Sequence, residues 1–470
     1  MSKTPDTWRL DENYTFPAVA SINGELVPGE FSFTPDKGVK FCFSSRERTS
    51  IGMTWECDEL HCQFEDGTTF VMAHASASQL TWGSSSSQFT ISASFAIIGN
   101  LSHPAAGRFA SHSSLEFDGL EEWIGTNAFT LYPYKSDTEL GGRLEVDEIV
   151  HDNYQFGFSC TRSRRSFCTR TVVSGSTTRR QLTRTSHQLV TITLQDLLTA
   201  EDLVREIHSV QLFLATVSGC VFPIKSIATG NPDDGNGLHM LLANNLHRSS
   251  DYARNRCLVF SAVKNAIPDA WIKWTLSSDV YIPSSEMLLA KEKLGIMDSE
   301  FRFLSVILAL EGFHRGAFPE EVRMDRQKAN DLRQRLRNFL DLEDLDNEAR
   351  DVMLGLASHL AEPSFKNRFR SLILQLPDIS RSWIGIDETI LLRTIVDYRN
   401  FYAHRTALPS RTATLNLNLH GLTEVVRGIL RAAMLRHLGF SENAVDASLK
   451  NSPTFRLALR HCPALVVETA

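Results

Sequence analysis

Glu30-Phe31-Ser32-Phe33-Thr34, Pro35-Asp36-Lys37-Gly38 and Val39-Lys40-Phe41-Cys42-Phe43 follow one another early in the chain, and their reading decides the fold of its first half. Every second residue of the two outer runs is apolar. Side chains of an extended strand point alternately to its two faces, so each run offers one apolar and one polar face. Pro35, Asp36 and Gly38 between them carry turn chemistry. Similar runs recur at 68–72, 88–97, 143–150, 154–159 and 188–193, separated by Gly, Asn, Asp and Ser. Residues 24–29 read as a break before the first run. Together these predict an antiparallel module, sandwich-like or barrel-like, over residues 1–280. Within it a helix is expected over 201–217, where Leu203, Ile207, Val210, Leu212 and Phe213 lean to one side, followed by strand-like runs at 221–227 and 258–263.

From about residue 285 the period becomes helical. Phe301, Leu304, Ile307, Leu308 and Phe313 repeat at helical spacing behind Ser299, a suitable N-cap for a helix over 300–314. Further helices are predicted at 321–340, 347–360, 364–374, 388–402 and 415–438, with Pro319, Pro363, Pro377 and Pro409 between them. The fold class expected is α+β multidomain, a β-rich sandwich-like domain over 1–280 followed by an all-α bundle over 281–470.

The 470 residues are 42% hydrophobic and 22% charged, the mix of a globular protein of two or more domains. The net charge of -7 conceals an asymmetry. Residues 281–470 hold 25 basic and 24 acidic residues, leaving 23 and 31 for the first 280, or +1 against -8. Residues 391–440 alone carry seven Arg against Asp397 and Glu424, a net of +5 that suits a phosphate-facing surface. The bland alternative is a solvated helix face whose arginines pair with acids elsewhere. A second stretch, 161–195, has seven Arg and no acid, and reads as an exposed hairpin with its tip at 173–178.

The N-terminus lacks an apolar segment behind a basic start, and no run approaches the roughly 20 apolar residues of a membrane span, so a cytoplasmic location is expected. Eight cysteines are too sparse for a disulfide scaffold and are read as reduced thiols. Cys57, His61 and Cys62 cluster, yet offer three ligands where structural zinc needs four, so no metal or cofactor is expected. Phosphate-loop, metalloprotease and nucleophile-elbow motifs do not occur. The glycine-rich stretch 230–237 reads as a surface loop.

Late in the chain stands Asp397-Tyr398-Arg399-Asn400-Phe401-Tyr402-Ala403-His404-Arg405. Arg399, Asn400 and His404 resemble the R-N-x-x-x-H signature of HEPN ribonucleases. Phe301-Arg302-Phe303-Leu304 and Ala309-Leu310-Glu311-Gly312-Phe313-His314-Arg315 are similar to the helix that opens ApeA-type HEPN domains. Residues 27–33, 36–39 and 115–123 resemble the N-terminal domain that accompanies them. The likeness runs from about residue 14 to residue 440 and identifies the chain as an ApeA-like anti-phage HEPN protein.

That resemblance implies a metal-independent endoribonuclease, tRNA among its candidate targets, acting as a toxin in abortive infection. Arg399, Asn400 and His404 would be catalytic, with Arg405, Glu311 and His314 binding substrate. Expected partners are RNA, a phage-derived trigger or inhibitor, and a second copy of the chain bound through the HEPN domain. The rival is a non-catalytic RNA- or nucleotide-binding HEPN protein whose β-rich domain holds a ligand. Helix geometry adds a constraint. Positions i and i+5 lie about 140° apart, so Arg399 and His404 do not share a face of a regular helix, whereas Asn400 and His404 do, about 40° apart. Either the helix loosens, or the Arg399 side chain swings round, or a second subunit completes the site. A helix C-terminus that favours Arg and His is the plain alternative, as is an Arg399–Asp397 pair.

Overall fold

The computed structural model describes residues 4–5, 7–45, 55–82, 87–99, 110–124, 129–131, 146–148, 154–160, 163–178, 181–230, 237–242, 257–289, 298–343, 346–358, 360–405, 407–415 and 417–466. The chain forms two compact units, Met1–Pro268 and Asp269–Ala470, dividing inside the helix Ile267–Leu276.

The first unit is built on antiparallel strands, and its opening six close on themselves. Strands β1 (Tyr14–Ile22), β2 (Glu25–Thr34), β3 (Gly38–Ser45), β4 (Glu56–Phe64), β5 (Thr69–Trp82) and β6 (Ser87–Ala93) pair in the order β1-β2-β3-β6-β5-β4, and β4 returns to β1. The antiparallel module thus takes the form of a barrel, closed through the second half of β5. The turn at 35–37 joins β2 to β3 as the sequence suggests, with Thr34 opposite Gly38. The break expected at 24–29 is a correction. Asn23 and Gly24 have φ of 52° and 84°, the pair of left-handed residues that a type I′ hairpin turn demands, and residues 25–29 are already strand.

Alternate residues fill the barrel. Phe31, Phe33, Phe41, Phe43, Phe64, Phe70 and Phe89 are buried, with Phe64 stacked on Phe70 at 4.3 Å and Phe43 on Phe89 at 5.0 Å. Gly29 lets the Phe41 ring lie flat against β2, since a Cβ there would stand 2.6 Å from it. Along β4, Leu60, Cys62 and Phe64 point inward while His61 points out. Cys62 and His61 therefore cannot face one metal ion.

Strand β5 changes partner along its length, within one continuous sheet. Its second half pairs with β6 inside the barrel, and its first half pairs with β7 (Phe95–Ile98), with Ala73 opposite Phe95 and Ser76 opposite Ser92. Between them, at the change of partner, His74 adopts a positive φ of 50°. From β7 an open sheet continues through Leu238–Leu242, Ile224–Gly230, Ala110–Phe117, Gln181–Leu198, Ser163–Thr178 and Tyr154–Cys160. A buried helix, Ala200–Ser218, packs on this sheet between a Thr199 N-cap and a left-handed Gly219. Trp123 is buried and donates its indole N–H to the Leu258 carbonyl at 2.7 Å, which makes it a core residue.

Two further expectations are adjusted. Residues 258–263 are not a strand but lead into a short helix, Phe260–Val263, since four or five apolar residues carry no period of their own. The arginine-rich hairpin exists as backbone, paired as far as Thr178 and Gln181, so residues 173–178, expected at its tip, belong to the strand and the tip lies beyond them. That tip, and the glycine-rich loop at 231–236, lie outside the described residues.

The second unit is helical. Its centre is the helix Leu419–Leu438, which packs against Ser299–Ala317, Phe365–Leu374, Glu442–Lys450 and Pro453–His461. Gly421 and Gly428 let the last of these come close, because a Cβ would stand 2.9 Å from Cys462 Sγ and 2.2 Å from the Phe455 ring respectively. The predicted helices are present with shifted ends. The opening one starts at Ser299 with Asp298 in the cap position, so Ser299 is not the N-cap, and it runs on to Ala317. The helix expected from 321 begins at Arg326, behind an Asp325 cap. Among the described residues no helix is long and apolar enough to cross a membrane.

Two histidines inside this unit make its stability depend on pH. The Tyr281 hydroxyl shares a hydrogen bond with His437 Nδ1. Burial, helped by the nearby Lys273 ammonium, pushes His437 down to about 4, and burial lowers His314 too. The unfolded chain protonates its histidines near pH 6.5. Between about 6.5 and about 4 the unfolded state therefore binds more protons, and stability falls as pH drops through that window. Denaturant unfolding at pH 7 and pH 5 is expected to show the loss. His437→Gln, which keeps a partner for Tyr281, should flatten the slope; an unchanged slope would exclude His437 as its source.

Candidate active site

Helix Glu388–His404 carries the motif. Asp387 caps its start by accepting from the Ile390 N–H, and buried Leu391, Leu392, Ile395 and Tyr398 fix its inner face. The helix runs regularly to His404 and stops at Arg405, which turns into the left-handed region with φ 53°. Of the three routes by which Arg399 and His404 could meet, the long side chain takes one within a single copy. Arg399 Nη1 swings along the helix to lie 3.4 Å from His404 Nε2 and 3.3 Å from Asn400 Oδ1. A guanidinium only donates, so His404 Nε2 accepts, and the proton of the neutral ring sits on Nδ1.

The other Arg399 nitrogen, Nη2, donates to Glu311 Oε1 at 3.4 Å, from the helix Ser299–Ala317. Its guanidinium carbon also lies 5.8 Å from the Phe365 ring centroid. Asp397 is engaged elsewhere, accepting from the Thr412 hydroxyl and 4.0 Å from Arg411, so the Arg399–Asp397 pair does not form. One carboxylate, one guanidinium, one amide and one imidazole thus converge, with His404 exposed.

Residues 8–286 match the family model described as ApeA N-terminal domain 1, and residues 304–444 match that described as Apea-like HEPN. The chain belongs to the ApeA-like HEPN family. No curated protein and no solved structure matches it significantly. Membership points to an anti-phage HEPN protein, and HEPN domains are typically ribonucleases.

All six residues singled out from sequence lie within the matched HEPN segment, but they do not all share one place. Glu311 joins Arg399, Asn400 and His404. Arg405 is 82% exposed and 3.8 Å from Glu300, beside the cluster at the helix end. His314, one turn beyond Glu311, is 1% exposed and bonds Glu321 at 3.0 Å through Nε2, with no contact to the Arg399 group. Sequence reading gave no role to Arg315, one turn from Glu311 on the same helix, or to Glu362 and Phe365, which only the fold brings near. The arginines of 391–440 are largely matched by acids: Arg399 by Glu311, Arg405 by Glu300, Arg411 by Asp397, Arg427 by Glu424 and Arg436 by Glu442. Their partners are not the acids of 341–348. A uniform phosphate-facing stripe gives way to a local site.

Proposed function

We propose that this ApeA-like HEPN protein is a metal-independent endoribonuclease that cleaves RNA in abortive anti-phage defence, its β-rich domain sensing the trigger or restraining the toxin. The observation that carries the reading is the contact of Arg399 with both Asn400 and His404 while Glu311 holds its far nitrogen. RNA cleavage by transesterification needs a base for the ribose 2′-hydroxyl, an acid for the leaving 5′-oxygen and positive charge on the phosphate. His404 is exposed, and as Arg399 turns to the phosphate its Nε2 is released to take the proton from the 2′-hydroxyl. Arg399 turns its planar donors to the phosphate as charge builds, a role that needs no proton transfer. Asn400 orients the guanidinium. Glu311 anchors it through Nη2.

The acid comes from a second copy of the chain, whose motif faces the first and supplies another histidine to the cleft. Phe301 and Leu308 support this arrangement. They are 63% and 57% exposed, and at seven residues apart they share one side of the opening helix. Neighbouring Glu300 pairs with Arg405, and Leu308 lies one turn from Glu311, so this apolar stripe flanks the site.

The test is chemical analysis of RNA ends, from phage-infected cytoplasm containing the protein and from purified protein in EDTA. Fragments ending in a 2′,3′-cyclic phosphate, with 5′-hydroxyl partners, are expected. Ends bearing 5′-phosphate and 3′-hydroxyl, or cleavage abolished by EDTA, would overturn the proposal.

A further inference from the structure

Beside the Arg399 cluster, inside the helical unit, lies a cavity of about 260 Å³ that the catalytic reading does not use. It sits between the end of helix Ser299–Ala317, the residues that follow it, and the segment leading into helix Phe365–Leu374. We infer that this cavity holds one nucleotide, its phosphate on Arg315 and Arg368 and its base or ribose on His314. The inference rests on the ribonuclease reading of the neighbouring site and names what that site's strand does next.

Four features point to this chemistry. First, three guanidinium groups line the cavity, Arg315, Arg326 and Arg368, against the two carboxylates of Glu321 and Glu362. Arg368 is buried and fixed, donating to the Pro363 carbonyl at 3.0 Å and to Glu362 at 2.8 Å. Arg315 is outward, with its acid contacts at 3.7 and 4.0 Å, long enough for it to turn toward an arriving anion.

Second, the walls include Phe318, Pro319, Val322, Ala361 and Pro363, flat apolar surface of the kind that receives a base. Third, His314 is buried and its Nδ1 has no hydrogen-bond partner. Its Nε2 meets the Glu321 carboxylate, which only accepts, so Nε2 carries the proton and Nδ1 is a bare acceptor. A buried acceptor of this kind calls for a donor, such as a base N–H or a ribose hydroxyl.

Fourth, Glu311 ties the two places together. Its Oε1 is 3.4 Å from Arg399 and its Oε2 is 4.0 Å from Arg315. A strand whose scissile phosphate rests on Arg399 therefore brings an adjacent nucleotide to Arg315 and the cavity mouth. The volume lies just below the roughly 300–1,000 Å³ of ordinary small-molecule sites, the scale of one nucleoside rather than two.

Nucleotide chemistry could reach this cavity as part of the RNA or as a free mononucleotide, and the experiment separates them. The four 5′-mononucleotides are titrated calorimetrically into the full chain, and a randomised RNA is cleaved and sequenced around each cut. The variants are Arg315→Gln and Val322→Trp, the second filling the cavity from a half-exposed wall position. Mononucleotide affinity is expected to fall about tenfold or more in both, the effect of losing one charge-assisted contact. Loss of base preference at a nucleotide flanking the cut, among the cuts that remain, assigns the cavity to the RNA strand. Loss of mononucleotide binding with that preference intact assigns it to a free nucleotide. Unchanged binding and preference in both variants would overturn the inference, as would a wild-type chain showing neither. Should the wild type not cleave RNA, the ribonuclease reading fails while calorimetry still reports on the cavity.

Discussion

His404→Ala and Arg399→Ala should each lower RNA cleavage by about 10²–10⁴-fold, the usual range for a positioned general base or a charge aimed at the transition state. Neither change threatens the fold. His404 is exposed at the last position of its helix, and Arg399 contacts the rest of the unit through Glu311 and the Phe365 ring. Circular dichroism and thermal unfolding of both variants should overlay the wild type, so the loss belongs to chemistry. Asn400→Ala should cost less, because the 3.3 Å contact only orients the guanidinium. Equal cleavage by the wild type, His404→Ala and Arg399→Ala would end the proposed mechanism. Loss of growth arrest in cells expressing the two variants should run in parallel.

The second large effect concerns stability. Arg302 and Glu424 form an ion pair between the helices Ser299–Ala317 and Leu419–Leu438, both side chains buried. His420 Nδ1 accepts from Arg302 at 3.0 Å, and Arg427 lies 3.7 Å from Glu424. Taking two charges out of water is expensive, and removing one of them leaves the other buried without its counter-charge. Glu424→Gln should therefore destabilise the helical unit by about 3–5 kcal/mol, read as a shift in denaturant midpoint. The double variant Arg302→Met with Glu424→Met should recover most of that loss, since a buried pair often exchanges for apolar groups at little net change. A Glu424→Gln protein as stable as wild type would show that water or neighbouring groups already compensate Arg302.

Much of this was legible in the sequence, and what was not has identifiable causes. The alternation at 30–34 and 39–43 announced the hairpin because one face of each strand is buried in the barrel. Residues 24–29 misled because glycine and proline usually punctuate, whereas here only Gly24 turns and Pro28 stands within β2, opposite Val19. Helices Asp378–Ile384, Glu442–Lys450 and Pro453–His461 were missed because they are short, with two or three apolar turns at most. Arg399, Asn400 and His404 could be picked out as a pattern, yet the Glu311 anchor lies 88 residues away and the swing of Arg399 is a matter of rotamer. Glu311 and His314 share a helix in sequence but serve different neighbours, since three residues' rotation carries His314 into the interior. The cavity joins two stretches, 314–326 and 361–368, that have no period in common.

The double duty of β5 limits how this protein can be cut into parts. A fragment ending at Ala93 would hold all six barrel strands and would read as a natural module. It would also strip β7 from Phe70, Val71, Met72 and Ala73, baring a row of unsatisfied backbone groups beside four buried apolar side chains. Such an edge recruits other chains. The excised barrel should therefore self-associate through β5, and a piece extended only through Ile98 would move the bared edge to β7, whose far side pairs with Leu238–Leu242, so the barrel and the strands beyond it must be kept together.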